Sequence, residues 1–392
     1  MKVLYIVSSF PRNEKDTYVR WLLEKTQRLA DEGVEITVLA PSYKGLGNHR
    51  FGKVNVKRFR YFLKRWEDLT HEEGMGTKIK SSLYRFIFFF YFFSGLISTI
   101  KLCRQEKFDI IHVHWPFPHA IWAYYGARAN KSKVILTFYA VELLLIKRKF
   151  KFLKSVVKRI IEKADRVTTF SSYVKELVKE YTEREVEVIP YGTTIEEKKF
   201  KVANNKVKRI LFVGRLIERK GLRYLIMALP AISKEIESKV IIIGDGEEMQ
   251  PLKKFASDLH IEKKVEFLEK ISNQRLTQEY QNCDVFVLPA IIDSKGDTEG
   301  LGVVLIEALL YKKPIVASKV GGIVDVIKDG KTGFLSREKD EKDLADKIIK
   351  VLKNRKWAEK VGRQGYRFVK ENFEWEKITD KYLSLYKRTL RR

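Results

Sequence analysis

Two cysteines in 392 residues, Cys103 and Cys283, are too few for a disulfide framework, and their apolar or helical settings fit a reducing compartment. Acids are short as well. Fifty Asp and Glu stand against 77 Lys and Arg, a formal charge of +27 with an isoelectric point near 9.7. Such a surface draws polyanions, whether nucleic acid, phosphorylated substrates or an anionic membrane. The opening Met1 to Val7 carries one lysine and an apolar run far shorter than a signal peptide's, so a buried first strand without secretion is expected. No run reaches membrane length: Phe86 to Ile100 holds fifteen residues where about 20 are needed to span. Being apolar all round, it is expected to form a buried helix or a helix resting on a membrane. Tandem repeats, low-complexity tracts and nucleic-acid reader motifs are all missing, so the basic charge has no nucleic-acid module to serve. What is present, 45% hydrophobic, 12% aromatic and 32% charged, is a globular composition long enough for two domains.

Val- and Ile-rich runs alternate with helical-period segments throughout, the pattern of βαβ units with parallel sheets buried on both faces. Strands are expected near Lys2 to Val7, Val34 to Leu39, Asp109 to Val113, Lys133 to Thr137, Arg166 to Thr169 and Glu185 to Ile189, with a first helix over Thr17 to Asp31 stopped by Gly33. Pro190-Tyr191-Gly192 and the polar stretch after it interrupt the alternation. It restarts at Arg209 to Val213, Lys239 to Ile243, Val265 to Leu268, Asp284 to Leu288 and Pro314 to Ala317. The expected fold class is α/β, two doubly wound domains, 1–190 and 209–370, joined by a linker over 191–208 and followed by a helical tail, 371–392. Two such domains in series are expected to face a central cleft, since ligands bind where carboxyl ends of parallel strands and helix N-termini converge.

Three elements carry candidate chemistry. In Phe212-Val213-Gly214-Arg215-Leu216-Ile217-Glu218-Arg219-Lys220-Gly221, Gly214 lets backbone approach a ligand while Arg215 and Lys220 place two cations suited to a diphosphate; a tight turn with solvated basic residues fits the same letters. In Thr298-Glu299-Gly300-Leu301-Gly302-Val303-Val304-Leu305-Ile306-Glu307, glycines free backbone N–H groups at a helix N-terminus, an anion site bracketed by Glu299 and Glu307. Carboxylates there suit sugar or ribose hydroxyls, which donate to them. Glu307, flanked by apolar residues, needs a partner. The turns at Gly244-Asp245-Gly246 and Gly321-Gly322 stand at the same sheet edge. His112 and His114 share a strand face, but no third ligand has matching spacing for a metal, and a cleft-lining or structural role fits them better.

Together these residues resemble the GT-B retaining glycosyltransferases of family 4, the glycosyl transferases group 1. The Glu299 and Glu307 spacing is similar to that family's E-x7-E element, and Gly214-Arg215 with Lys220 to its diphosphate-binding turn. Lys313-Pro314-Ile315-Val316-Ala317 with Gly321-Gly322 follows in register. Phe10-Pro11-Arg12, Asp109 to Trp115 and Ile189 to Gly192 extend the likeness over nearly the whole chain. The resemblance implies two Rossmann-like domains, with a nucleoside-diphosphate sugar held by the second and the acceptor by the first. It implies that Glu299 touches the transferred sugar, that the Gly300, Leu301, Gly302, Val303 and Val304 backbone with Gly244 holds sugar and diphosphate, and that Glu307 holds the ribose. Arg215 and Lys220 neutralise the diphosphate, so no metal and no cofactor is required. The last helix, Phe373 to Leu390, crosses back onto the first domain, and Arg12, His114, Tyr139 and Glu142 line the acceptor side.

The chain departs from the family where many members carry His-Gly: here stands Phe138-Tyr139-Ala140-Val141-Glu142, so Tyr139 takes over a hydroxyl contact or the acceptor side is remodelled or impaired. The glycine pair frequent in the first loop is replaced by Ser8-Ser9-Phe10-Pro11-Arg12, and Leu301 stands where phenylalanine is common. The basic residues concentrate in two acid-free blocks, Lys44 to Arg65 and Lys147 to Arg159, the second interleaved with Phe150, Phe152, Leu153, Val156 and Val157. That pattern belongs to membrane-surface segments, though solvated lysines of a heat-adapted protein produce it too. The expectation is a cytoplasmic transferase, peripheral on the inner face of the cell membrane, with a lipid-linked or polysaccharide acceptor. The competing classes are a nucleotide-sugar epimerase or hydrolase of the same architecture, which needs no acceptor, and a degenerate module that binds nucleotide without turnover.

Overall fold

The β-branched runs form parallel strands buried on both faces. In the computed structural model the described residues are 1–16, 18–71, 75–192 and 206–391; Thr17, the expected start of the first helix, and 193–205, most of the expected linker, lie outside them. The chain divides into two compact units, Met1–Gly192 with Trp375–Arg392, and Thr193–Glu374.

The first unit holds β1 (Lys2–Ile6), β2 (Glu35–Pro41), β3 (His49–Phe51), β4 (Val54–Phe59), β5 (Ile110–His114), β6 (Lys133–Phe138), β7 (Arg166–Thr169) and β8 (Glu187–Val188). They form one sheet in the order β3-β4-β2-β1-β5-β6-β7-β8, parallel except for the β3–β4 pair. Val3, Leu4, Tyr5 and Ile6 of β1 are fully buried, as a central strand covered on both faces requires. The helix Trp375–Leu390 belongs to this unit, where Trp375, Ile378, Tyr382, Leu385 and Tyr386 join the core around β1 and β2.

β3 and β4 fall inside the first basic block, where the sequence reading placed no strand. Val54 and Val56 point inward, and Arg58 is buried, its guanidinium donating to the carbonyls of Pro41 (3.1 Å), Phe10 (3.1 Å) and Pro11 (2.7 Å). Arg58 thus ties the loop after β1 to the sheet and leaves the exposed basic surface. The second block is broken at Phe150 into the helices Val141–Lys149 and Lys154–Lys163, so no single amphipathic helix runs through it.

The phenylalanine run corrects the sequence reading in length and in burial. It sits in a helix of 24 residues, Ser82–Gln105, long and apolar enough to cross a membrane by length and composition. A stripe at helical spacing, Ile87, Tyr91, Gly95, Thr99, Leu102 and Cys103, is buried in the unit. At Gly95 the contact with the Trp122 ring is so close that a Cβ would lie 2.3 Å from it. The other face, Phe86, Phe89, Phe93 and Ile97, is exposed.

The second unit holds β9 (Lys208–Val213), β10 (Ser238–Ile243), β11 (Val265–Leu268), β12 (Val285–Leu288), β13 (Ile315–Ser318) and β14 (Phe334–Ser336). The sheet is parallel in the order β11-β10-β9-β12-β13-β14. β14, three residues at the edge, was not anticipated. The strands β10, β9, β12 and β13, in that order, bring the loops at their carboxyl ends side by side.

Candidate functional site

In the second unit those loops are stitched edge to edge by backbone hydrogen bonds. The Gly214 amide donates to Ile243 O (2.9 Å), Leu216 N to Asp245 O (2.9 Å), Ile291 N to Arg219 O (2.9 Å) and Gly322 N to Glu299 O (2.9 Å). Gly244 has φ 141°, and a Cβ on it would lie 2.0 Å from the Gly214 carbonyl; a Cβ on Gly322 would meet Gly300 O at 1.9 Å. Only glycine lets these loops approach so closely. Gly214, Gly244, Gly300, Leu301, Gly302, Val303 and Val304 are therefore neighbours along one sheet edge. Gly302, with φ 80°, starts the helix Val303–Leu310, whose first turn has no side-chain cap.

Glu299 is the electrostatic centre of this edge. Its carboxylate accepts from Lys220 Nζ and from Arg219 (3.3 Å), while Arg219 also donates to the Thr298 carbonyl (3.2 Å). Burial pushes the Glu299 carboxyl upward, but the charges of Lys220 and Arg219, the hydrogen bond from Lys220 and the Gly302 amide more than offset it and hold the group ionised below its ordinary value. The pairing of Glu299 with Lys220 joins two residues that the sequence had assigned to separate tasks. Nothing in the motif gives Arg219 a role of its own; its place next to Lys220 is the one signal of it. Arg215 stands exposed beyond them.

Glu307 finds its partner in Tyr280, whose hydroxyl donates to it at 2.8 Å from the helix Asn273–Asn282. Burial raises its carboxyl to about 7, against the hydrogen bond from Tyr280 and the charge of Lys220. Tyr280 went unnoticed in the sequence; an aromatic residue within the polar Asn273-Gln274-Arg275-Leu276-Thr277-Gln278-Glu279-Tyr280 was the only sign.

In the first unit, Arg12 is clamped by Asp16 through Nε (2.6 Å) and a second nitrogen (3.1 Å) and lies over the Tyr43 ring. Burial raises the Asp16 carboxyl, yet the hydrogen bonds from the Arg12 side chain and from the Arg12 and Tyr18 amides bring it down to about 2. His114 and Tyr139 come together: Nδ1 lies 2.6 Å from the Tyr139 hydroxyl and Nε2 lies 3.0 Å from Lys25 Nζ. His112 is engaged at both nitrogens as well, with Tyr386 (2.8 Å) and Thr137 (2.7 Å). Both imidazoles are thus internal ties, and among the described residues no three His, Cys, Asp or Glu side chains converge as metal ligands. The Tyr139 hydroxyl is turned inward to His114, which corrects the expectation that it reaches a substrate hydroxyl. Glu142 is buried; one carboxylate oxygen accepts from the Tyr139 amide (2.9 Å), the other is without a partner, and burial raises the group to about 7.

Two family models tile the chain. Glycosyl transferases group 1 matches residues 194–368 and Glycosyltransferase Family 4 matches residues 19–197. An N-acetyl-α-D-glucosaminyl L-malate synthase from Bacillus anthracis is 27% identical over 74% of this chain and 77% of its own. A GDP-mannose-dependent α-(1-6)-phosphatidylinositol monomannoside mannosyltransferase from Mycobacterium tuberculosis is 26% identical over 72% and 76%. The sucrose-phosphate synthase structure from Thermosynechococcus elongatus superposes with a TM-score of 0.76 over 99% of both chains at 18% identity, which shows the fold. With both halves matched in order and the paired sheets of the GT-B fold in place, the chain belongs to the group 1, family 4 glycosyltransferases and uses a nucleotide-sugar donor.

Proposed function

We propose that the chain transfers a sugar, with retention of configuration and without a metal, from a nucleoside-diphosphate sugar to a lipid-linked or polysaccharide acceptor at an anionic membrane surface on the cytoplasmic side. The observation that carries the transferase chemistry is the Glu299, Lys220 and Arg219 cluster beside the uncapped helix at Gly302. The Gly300 to Val304 amides and Gly244 hold the donor, and Glu307 accepts from the ribose. As the bond from the sugar C1 to the diphosphate oxygen breaks, Lys220 and the exposed Arg215 take up the growing negative charge, the role a metal fills elsewhere. The acceptor oxygen bonds to C1 on the face the diphosphate leaves, and its proton passes to a departing diphosphate oxygen. Arg219 keeps Glu299 in place while Lys220 serves two anions.

The membrane part rests on the outer face of the helix Ser82–Gln105. Phe86, Phe89, Phe93 and Ile97 form an exposed ridge, and Phe62 packs on Phe86 and Phe90, setting the exposed Leu63, Lys64 and Arg65 beside it. Aromatic side chains next to cations suit the interface of an anionic bilayer. The mycobacterial relative, named for a phosphatidylinositol-based acceptor, supports the same reading.

A thermal-shift panel of UDP, GDP, ADP and their sugars, then mass spectrometry of products formed on lipid acceptors, tests the transfer. A donor that stabilises the protein and is consumed only when acceptor is present is expected; hydrolysis without transfer overturns it. Flotation at low salt should show stronger capture by anionic than by neutral vesicles, and equal partitioning removes the membrane part.

A further inference from the structure

At the carboxyl edge of the first unit's sheet, three neighbouring strands, β1, β5 and β6, lead into helices through loops where a non-glycine residue takes a left-handed conformation: Val19 (φ 49°), Trp115 (φ 54°) and Ala140 (φ 74°). A bulky residue in that region is held there by its surroundings. For Trp115 the holder is His119, whose Nδ1 donates to the Trp115 carbonyl at 2.7 Å and whose Nε2 accepts from the Tyr91 hydroxyl at 2.8 Å.

The conformation aims Trp115 at a group of aromatic rings. Trp115 stacks on Tyr139, with centroids 4.7 Å apart and planes at 29°, and Trp21 stacks on Tyr191 at 5.1 Å and 22°. Trp21 also lies 6.1 Å from Trp115, and Phe170 backs both Tyr139 and Tyr191. Trp115, Trp21 and Tyr191 are partly exposed over the buried Tyr139 and Phe170. The base is fixed by the hydrogen bonds of Tyr139 to His114 and of its amide to the buried Glu142.

We propose that this aromatic platform seats a pyranose ring of the acceptor, so that the acceptor is recognised by its sugar and not by a charged small-molecule group. The inference rests on the acceptor-side reading of the first unit. A pyranose has one face of C–H bonds, whose partial positive charge meets the negative π faces of Trp115 and Trp21. A hydroxy acid such as malate, the acid in the name of the Bacillus relative, offers no apolar face for these rings to meet. Tyr139, standing where the family resemblance leads one to expect histidine, supplies the floor of the platform and so exchanges a polar contact for a stacking surface.

The test uses water-soluble probes without vesicles, so its failure is separate from failure of the membrane reading. Methyl α-D-mannopyranoside, α-D-glucopyranoside and α-D-galactopyranoside are titrated against the full chain, with glycerol and L-malate as ringless controls, and tryptophan emission is followed. At least one glycoside should give a saturable change and the controls none. Trp115→Ala should raise its half-saturation point by about tenfold, and Trp115→Phe, which keeps a π face, by about threefold or less. The thermal upshift given by the donor nucleotide should be unchanged in both, which shows that the variants are folded; should Trp115→Ala not fold, Trp21→Ala takes its place. No saturation by any glycoside, saturation by malate, or an unchanged half-saturation point in the alanine variant overturns the proposal.

Discussion

Lys25 is 1% exposed and, among the described residues, has no carboxylate beside it; its amine meets His114 and lies over the rings of Tyr5 (5.0 Å) and Tyr382 (4.4 Å). Burial brings its pKa well below the ordinary lysine value. The unfolded chain therefore binds a proton that the folded one does not, from the depressed folded value up to the unfolded value near 10.4, and stability must rise with pH across that window. Lys25→Met should remove this slope. Melting curves at pH 7, 8 and 9 should show the native protein gaining on the variant by up to about 1.4 kcal/mol per pH unit; parallel trends refute a neutral Lys25. Glu307 is shifted the other way: raised to about 7, it becomes the stronger hydrogen-bond acceptor only as pH passes that value. If it holds the donor's ribose, calorimetric affinity for nucleotide should rise up to about tenfold from pH 6 to 8 and become flat in Glu307→Gln. Glu299 and Lys220 form one interaction, so Glu299→Gln and Lys220→Met should each destabilise by about 3 kcal/mol. The double variant should fall short of the sum by at least about 1 kcal/mol in urea denaturation; strict additivity would dissolve the pair.

Among the elements, the helix Ser82–Gln105 does two jobs on two faces, and substitutions should separate them. Gly95→Leu drives a side chain into Trp122 and should destabilise by about 1–3 kcal/mol. Phe89→Ser and Phe93→Ser, on exposed positions, should leave the melting temperature nearly unchanged and weaken capture by anionic vesicles. The buried face also reaches Trp115 through Tyr91 and His119, so the side of the helix away from solvent is in hydrogen-bond continuity with the aromatic surface. The central strands were legible because their apolar runs are unbroken, and the glycine turns of the second unit because loops that nearly touch admit nothing larger. β3 and β4 were hidden by their own basic residues: nothing local tells that Arg58 turns inward to three carbonyls. The faces of the phenylalanine helix were hidden because both are apolar, so periodicity carries no signal. The inward turn of Tyr139 depends on pairing with His114 across neighbouring strands, and such register-dependent contacts have no signature in a single segment.

For the whole molecule, the cations stand in settings as different as the buried tie of Arg58, the desolvated Lys25, Lys220 and Arg219 gathered on Glu299, and exposed residues such as Lys64 and Arg65 beside the aromatic ridge. The largest consequence, however, comes from the helix Trp375–Leu390. Trp375, Ile378, Tyr382, Leu385 and Tyr386 are buried in the first unit. At about 2 kcal/mol for each side chain, their loss amounts to roughly 10 kcal/mol, as much as an entire domain commonly has. Removing 375–392 should therefore unfold the first unit while the second keeps its sheet, seen as protease-resistant fragments from the second unit alone; a resistant first unit would contradict this. The Tyr5 and Tyr386 hydroxyls share a hydrogen bond of 2.5 Å across 381 positions of sequence. During synthesis, at about 5–20 residues per second, the first strand accordingly waits some tens of seconds for the helix that covers it. The strand β1 thus leaves the ribosome long before the helix that seals it, and throughout that interval its fate depends on what else in the cell shields it.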